Sequence, residues 1–185
     1  MSFDRPSKPV TAPSNWVARF APLVAAWAPV LDVACGDGRH VRFFLERGHR
    51  VSAVDQDISG LADLQGDDRV EIVEADIEDG QPWPFPGRTF GAVVVTNYMH
   101  RPLFQVLADS LAPGGVLLFE TFGQGNERLG RPRNPDFLLQ PGELLRAYQD
   151  RLQIVAYEHG EEREPRPAIR QRIVAVNAEH TVLLP

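Results

Sequence analysis

Two aspartates and two glycines crowd into one short stretch, Asp32-Val33-Ala34-Cys35-Gly36-Asp37-Gly38. Gly36 and Gly38 let backbone come close to a ligand, while Asp32 and Asp37 favour an amino group or a cationic centre over a phosphate. The apolar run 29–34 predicts a buried strand. Val41, Phe44 and Leu45 then share one helical face, with Gly48 placed to end the helix. Strand, glycine turn and helix together present unpaired N–H groups to anything electron-rich. A dinucleotide turn wants G-x-G-x-x-G, but position 41 is Val41, and no G-x-x-x-x-G-K-[ST] occurs. Pyrophosphate and nucleoside triphosphate cradles are therefore disfavoured.

A further acid, Asp55, ends the short apolar run 50–55, about 20 residues past the turn, where an acid can accept both ribose hydroxyl hydrogens. Adenosine occurs in several cofactors, so Asp55 does not choose among them. A third strand, from Val70, ends at Asp76-Ile77. The β-branched run 90–96 predicts a central parallel strand buried on both faces. It exits into Thr96-Asn97-Tyr98-Met99-His100-Arg101-Pro102. In a doubly wound sheet the ligand crevice lies beyond the strand ends at the switch point, so this cluster should face the reacting group. His100 is the first candidate base, because imidazole titrates near neutral pH, and Tyr98 is the second. Arg101 could hold an anionic acceptor or simply pair with an acid, and Glu127 could offer a carboxylate.

Asp-Val-Ala-Cys-Gly-Asp-Gly resembles motif I of the class I S-adenosylmethionine (SAM)-dependent methyltransferases, and Pro-Gly-Gly at 113–115 resembles that family too. The chain is similar to the small proteins grouped with the tellurite-resistance methyltransferases. The resemblance implies an α/β fold: a doubly wound, seven-stranded, mostly parallel sheet, Rossmann-like, closed by an antiparallel C-terminal hairpin from 152–157 and 169–176. That hairpin argues against a dehydrogenase. The implied activity is methyl transfer from SAM, leaving S-adenosylhomocysteine (SAH). The implied cofactor residues are Asp32, Ala34, Gly36, Asp37, Gly38, Asp55, Gln56, Asp76, Ile77 and Asn97. Asp76 would meet the adenine amino group and Ile77 would pack on the ring. Trp16 becomes a candidate lid over the cofactor.

The remaining chain supplies scaffold. Residues 1–13 hold Pro6, Pro9 and Pro13 and predict an extended or disordered arm, with 14–185 as a single domain. Ser14 should cap a helix that Pro22 splits. Asp57 should cap a helix with Ile58, Leu61 and Leu64 inward. The loop 81–87, with Trp83 and Phe85, should cover the sheet edge beside the adenine. The polar loop 123–140 reads as a substrate flap. Residues 141–150 read as a helix and 159–167 as a surface loop.

Composition narrows the partners. The chain has 185 residues, a formal net charge of −6 and one cysteine, so neither an internal disulfide nor a cysteine zinc cluster is available. The scattered histidines give no metal site. The apolar patch 20–33 is interrupted by Pro22 and Pro29 and is no membrane span. A reducing cytoplasm fits. Acidity disfavours nucleic acid and leaves a small-molecule methyl acceptor as the main reading. RNA methylation, through Arg128, Arg131 and Arg133, is one alternative. A SAM-binding protein without transfer is another. A single thiol, inside the turn, counts against arsenic chemistry on bound cysteines.

Overall fold

The computed structural model describes residues 11–185. The strands are β1 (Val30–Val33), β2 (Val51–Asp55), β3 (Val70–Glu74), β4 (Phe90–Thr96), β5 (Leu111–Phe122), β6 (Gln153–Glu162) and β7 (Ala168–Val176). They make one sheet in the order β3-β2-β1-β4-β5-β7-β6. The first five strands are parallel. β7 runs antiparallel to both β5 and β6. This is the expected doubly wound sheet with its closing hairpin. Strand order reverses between β1 and β4, whose C-terminal ends open on one edge.

The helices are α1 (Asn15–Phe20), α2 (Arg39–Leu45), α3 (Leu103–Asp109) and α4 (Glu143–Tyr148). Ser14 caps α1 by accepting the Trp16 and Val17 N–H groups at 3.1 and 3.4 Å. Gly48, at φ +85°, turns the chain out of α2. Period-2 alternation explains the continuous apolar run of β4. Ala92 and Val94 pack with Trp16 and Phe44 on one face. Val93 and Val95 pack with Leu107 and Tyr148 on the other.

Several elements depart from expectation. Trp16 is core rather than lid: it is 4% exposed, and its indole N–H donates to Ile173 O at 3.3 Å. Phe85 is buried edge-on to Phe90, which leaves Trp83 as the loop's only ring beside a hollow. The expected helix at 58–64 is a 3₁₀ turn, Ser59–Leu64, although Asp57 accepts the Ser59 N–H at 3.0 Å as a cap should. Pro-Gly-Gly is a bulge within β5, where the register jumps from Phe90↔Leu111 to Ala92↔Val116. The helix expected over 141–150 shortens to α4. β6 runs on to Glu162, so 159–162 is strand rather than loop.

The loop 123–140 is stitched down. Gln124 N–H donates to Leu139 O and Leu139 N–H to Phe122 O, both at 2.9 Å. Buried Asn126 accepts the Ile169 N–H at 3.1 Å. Of the expected arm, 1–10 lies outside the described residues and 11–13 carries neither helix nor strand. No helix among the described residues is long and apolar enough to cross a membrane.

Candidate functional site

The turn after β1 is built from left-handed backbone, with φ of +53° at Ala34 and Gly36 and +73° at Gly38. A Cβ on Gly38 would lie 2.2 Å from Leu61 Cδ2, so that position admits only glycine. Nothing stands within 4 Å of where a Gly36 Cβ would be, so its backbone is open to a ligand. The Gly36 N–H donates to Asp55 Oδ2 at 2.8 Å, and Asp55 Oδ1 accepts the Asp57 N–H at 3.0 Å. Arg42 clamps the outer side of the turn through Asp37 O at 2.7 Å, Gly60 O at 3.1 Å and the Asp63 carboxylate at 2.5 Å. Arg42 was not anticipated; its only signal is its place on the first turns of α2.

Two hollows lie side by side beyond the tips of β1, β2 and β3. One, of about 320 Å³, is lined by Ala34, Asp55, Gln56, Asp76, Ile77 and Tyr98 among others. The second, of about 530 Å³, shares Asp76 and Ile77 and adds Trp83, His100, Leu103 and Val106. Both volumes suit a small ligand. Asp55, Asp76 and Glu78 line the first hollow, and neither hollow has a lysine or arginine in its wall. Such walls accept hydroxyl and amino hydrogens and repel phosphate.

Burial sets the chemistry of the groups around the turn. Asp32 is 1% exposed and its Oδ2 has no hydrogen-bond partner among the described residues. Burial pushes its carboxyl up to about 7, with Arg39 pulling it down and Asp55 pushing it further up. Burial, reinforced by Asp32 and Asp55, drives the Cys35 thiol far above its usual range, so it is an inert filler. Burial and then Glu78 drive the Tyr98 phenol up in the same way, and its hydroxyl also lacks a partner. Tyr98 therefore stays protonated and keeps a hydroxyl hydrogen to donate.

Other expected residues sit elsewhere. Asp37 is exposed, its carboxylate beside Gly60, and it lines neither hollow. His100 lines the larger hollow with Nδ1 3.7 Å from Glu78 Oε2, on the Trp83 and Leu103 side. The Arg101 guanidinium is fully engaged: it donates to Glu143 at 2.6 and 3.1 Å, Asp136 O at 2.7 Å and Leu138 O at 3.0 Å. It ties the 123–140 loop to the start of α3, and of the two expected roles it takes the pairing with an acid.

Asn97 follows β4 at φ +56°, and its N–H donates to Glu120 O at 3.0 Å. Its Oδ1 accepts from Arg170 Nη1 at 2.7 Å. Arg170 lies over the Phe122 ring, 4.5 Å from its centroid, and pairs with Glu162. Arg172 joins Glu162 to Glu158 at 3.3 Å and to buried Glu120 at 2.8 Å. This ladder went unread; its sequence signal is the period-2 spacing of Arg170 and Arg172 against Glu158 and Glu162.

Residues 30–115 match the family model described as a methyltransferase domain. No curated protein matches the chain in sequence. Among solved structures, TehB from Haemophilus influenzae is similar at TM-score 0.67 and 17% identity, covering 85% of this chain and 60% of its own. This chain thus spans less than two thirds of TehB. A SAM-dependent methyltransferase from Methanosarcina mazei is similar at TM-score 0.68 and 15% identity, covering 92% of this chain and all (100%) of its own. The 1,6-didemethyltoxoflavin-N1-methyltransferase of Burkholderia thailandensis, solved with 1,6-didemethyltoxoflavin and SAH, gives TM-score 0.63 and 21% identity over 89% of this chain and 77% of its own. The chain thus carries a segment that matches a methyltransferase-domain model and has the fold of these SAM-dependent methyltransferases.

Proposed function

We propose that this chain is a class I SAM-dependent methyltransferase and transfers the SAM methyl group to a small-molecule acceptor. The observation that carries the reading is the bond from Gly36 N–H to Asp55 Oδ2, at 2.8 Å, with Asp55 in the wall of the smaller of two adjoining hollows. The residues fit the cofactor on three counts. Backbone at Gly36 is open, the walls hold carboxylates for hydroxyl and amino hydrogens, and Asp32 Oδ2 and the Tyr98 hydroxyl are buried without partners. SAM, when bound, supplies a methyl group on a positive sulfonium.

The chain's own residues then align and shield. Asp55, already fixed by two backbone N–H groups, keeps lone pairs for ribose hydroxyls. Asp76 accepts from the adenine amino group, and Ile77 and Leu103 pack against the ring. Ala34 and Gln56 line the tail side, and Tyr98 donates its hydroxyl hydrogen into the smaller hollow. Alignment for in-line displacement contributes roughly 7–11 kcal/mol, which requires no covalent intermediate on the protein. Tyr98 stays protonated and His100 lies at the nucleoside end, so the acceptor brings its own free lone pair or loses its proton to water. Asn97, just after β4, and Arg170, on β7, bond to each other at 2.7 Å, and this reading assigns the pair to the acceptor side.

Two observations favour a small acceptor: the acidic net charge of −6, and the small-molecule substrate of the Burkholderia neighbour. Calorimetry should show SAH binding and no NAD binding. Methyl transfer to small-molecule fractions, followed by mass spectrometry, should show a 14 Da gain of about one CH₂. Binding of NAD in place of SAH would end the reading.

A further inference from the structure

The larger hollow is roomier than a purine ring requires. It measures about 530 Å³, within the range of sites that enclose a whole small ligand. It shares Asp76, Ile77 and Glu78 with the smaller hollow but has neither Ala34 nor Asp55 in its wall. It therefore lies past Asp76 and Ile77, on the side away from the glycine turn. Its own walls include Pro82, Trp83, Pro84, Leu103 and Val106. The chain itself fixes their shape. Asp76 Oδ1 accepts the Glu78 N–H at 2.9 Å and Asp79 Oδ1 accepts the Gln81 N–H at 2.8 Å, so two turns in succession set the rim. Trp83 stands edge-on to Phe85, and Phe85 to buried Phe90 on β4, with ring centroids 5.7 Å apart in each pair. The Trp83 indole N–H is buried and has no partner among the described residues.

A cofactor laid along the smaller hollow runs from the turn to Asp55 and then to Asp76. Its adenine amino group then borders the larger hollow. Asp76 needs only one of that group's hydrogens. A substituent can replace the other and continue into the larger hollow while the bond to Asp76 remains. We propose that the larger hollow is a subsite for an apolar or aromatic group carried on the adenine amino nitrogen. This rests on the SAM reading above. Tryptophan, proline and aliphatic walls suit a flat apolar group, and the unpartnered indole N–H suits a ring with a lone pair. Asp76, Glu78 and Asp79 line the same hollow without a lysine or arginine, so an anionic group is repelled.

Calorimetry with three probes tests it: SAH, SAH benzylated on the adenine amino nitrogen, and the carboxybenzyl counterpart. Benzyl-SAH should bind the wild-type chain as tightly as SAH or up to about 10-fold tighter. Carboxybenzyl-SAH should bind about 10-fold or more weaker than benzyl-SAH. Benzyl-SAH weaker than SAH by more than about threefold would overturn the proposal while leaving the cofactor reading standing. Equal affinity of the two analogues would put the substituent in solvent and overturn it as well. Val106→Trp fills the hollow from α3. It should weaken benzyl-SAH by about 10-fold or more and shift SAH by about twofold at most. Thermal unfolding of the ligand-free variant verifies its fold. Equal loss of both probes would make the hollow part of the adenine seat, and unchanged binding of both would place the benzyl group elsewhere. Either result overturns the proposal. If the wild-type chain binds neither SAH nor benzyl-SAH, the cofactor reading itself falls.

Discussion

Asp55 Oδ2 accepts the backbone N–H of Gly36 at 2.8 Å, which locks the tip of β2 to the glycine turn after β1. The same carboxylate takes the Asp57 N–H on Oδ1, so its rotamer is set before any ligand arrives. Asp55→Asn keeps one carbonyl oxygen for Gly36 and loses the charge that strengthens bonds to ribose hydroxyls. SAH affinity should drop roughly 10- to 100-fold, the worth of a charge-assisted bond. The melting temperature should move little, because the group lies at the mouth of the site. Calorimetry and thermal unfolding on one preparation check both halves, and unchanged affinity would remove the ribose assignment.

Asp32 makes stability depend on pH. Its carboxyl titrates near 7 in the fold, raised first by burial, against about 4 in the unfolded chain. Between those values the unfolded chain gives up a proton that the folded chain keeps. This group's contribution to stability is therefore intact below pH 4, declines as pH rises towards 7, and stays lost above it. Asp32→Asn removes the titration. The gap between variant and wild type should move in the variant's favour by roughly 2–4 kcal/mol from pH 4 to pH 8. Urea unfolding of the ligand-free proteins across that range measures it. Parallel pH profiles would mean that Asp32 is ionised throughout.

Legibility followed the number of buried faces. β1, β2 and β4 announce themselves because both faces are covered, so their residues are mostly apolar, with Asp32, Ser52 and Asp55 as the polar exceptions in β1 and β2. β6 lies at the sheet edge, and its second half, from Glu158, is polar. Glu158 and Glu162 are paired across the strand with Arg172 and Arg170, and only the antiparallel register brings those residues together. A strand held by ion pairs reads in sequence as a loop. Side-chain direction was hidden for a related reason. Trp16 has helical spacing, but spacing does not say that Ile173, far along the chain, will take its N–H. Asp55 and Gly36 could be matched because parallel strands bring their tips to one edge. The partners of Arg101 are Glu143, at the start of α4, and the carbonyls of Asp136 and Leu138, in a loop whose path no local pattern sets.

Arg101 is expected to hold the loop rather than the acceptor. Its four donations reach Glu143 and two loop carbonyls, and its side chain is 39% exposed. Solvent can replace part of what it supplies, so Arg101→Ala should cost only about 1–2 kcal/mol. Protease cleavage within 123–140 should accelerate, because two loop carbonyls lose their anchor. SAH affinity should stay within about twofold of wild type, since Arg101 lines neither hollow. A large loss of SAH binding with an intact loop would return Arg101 to the site.

The orientation of the Asn97 amide is settled by chemistry. Arg170 can only donate, so the atom facing its Nη1 at 2.7 Å is the Asn97 oxygen. The amide nitrogen must then point away from Arg170, with two hydrogens for an acceptor molecule that carries a lone pair. Asn97→Asp separates this donor role from a structural one. The variant keeps an oxygen for Arg170 and adds an attraction of opposite charges, so its melting temperature should hold or rise. It cannot donate, so methyl transfer to the small-molecule fractions should fall by about 10-fold or more while SAH affinity changes far less. Arg170→Met works from the other side. It frees the amide to rotate, and transfer should fall again, now with some loss of stability because Glu162 is left with Arg172 alone. Full activity in Asn97→Asp would mean that the amide hydrogens serve no acceptor and that the pair is only a brace between β4 and β7.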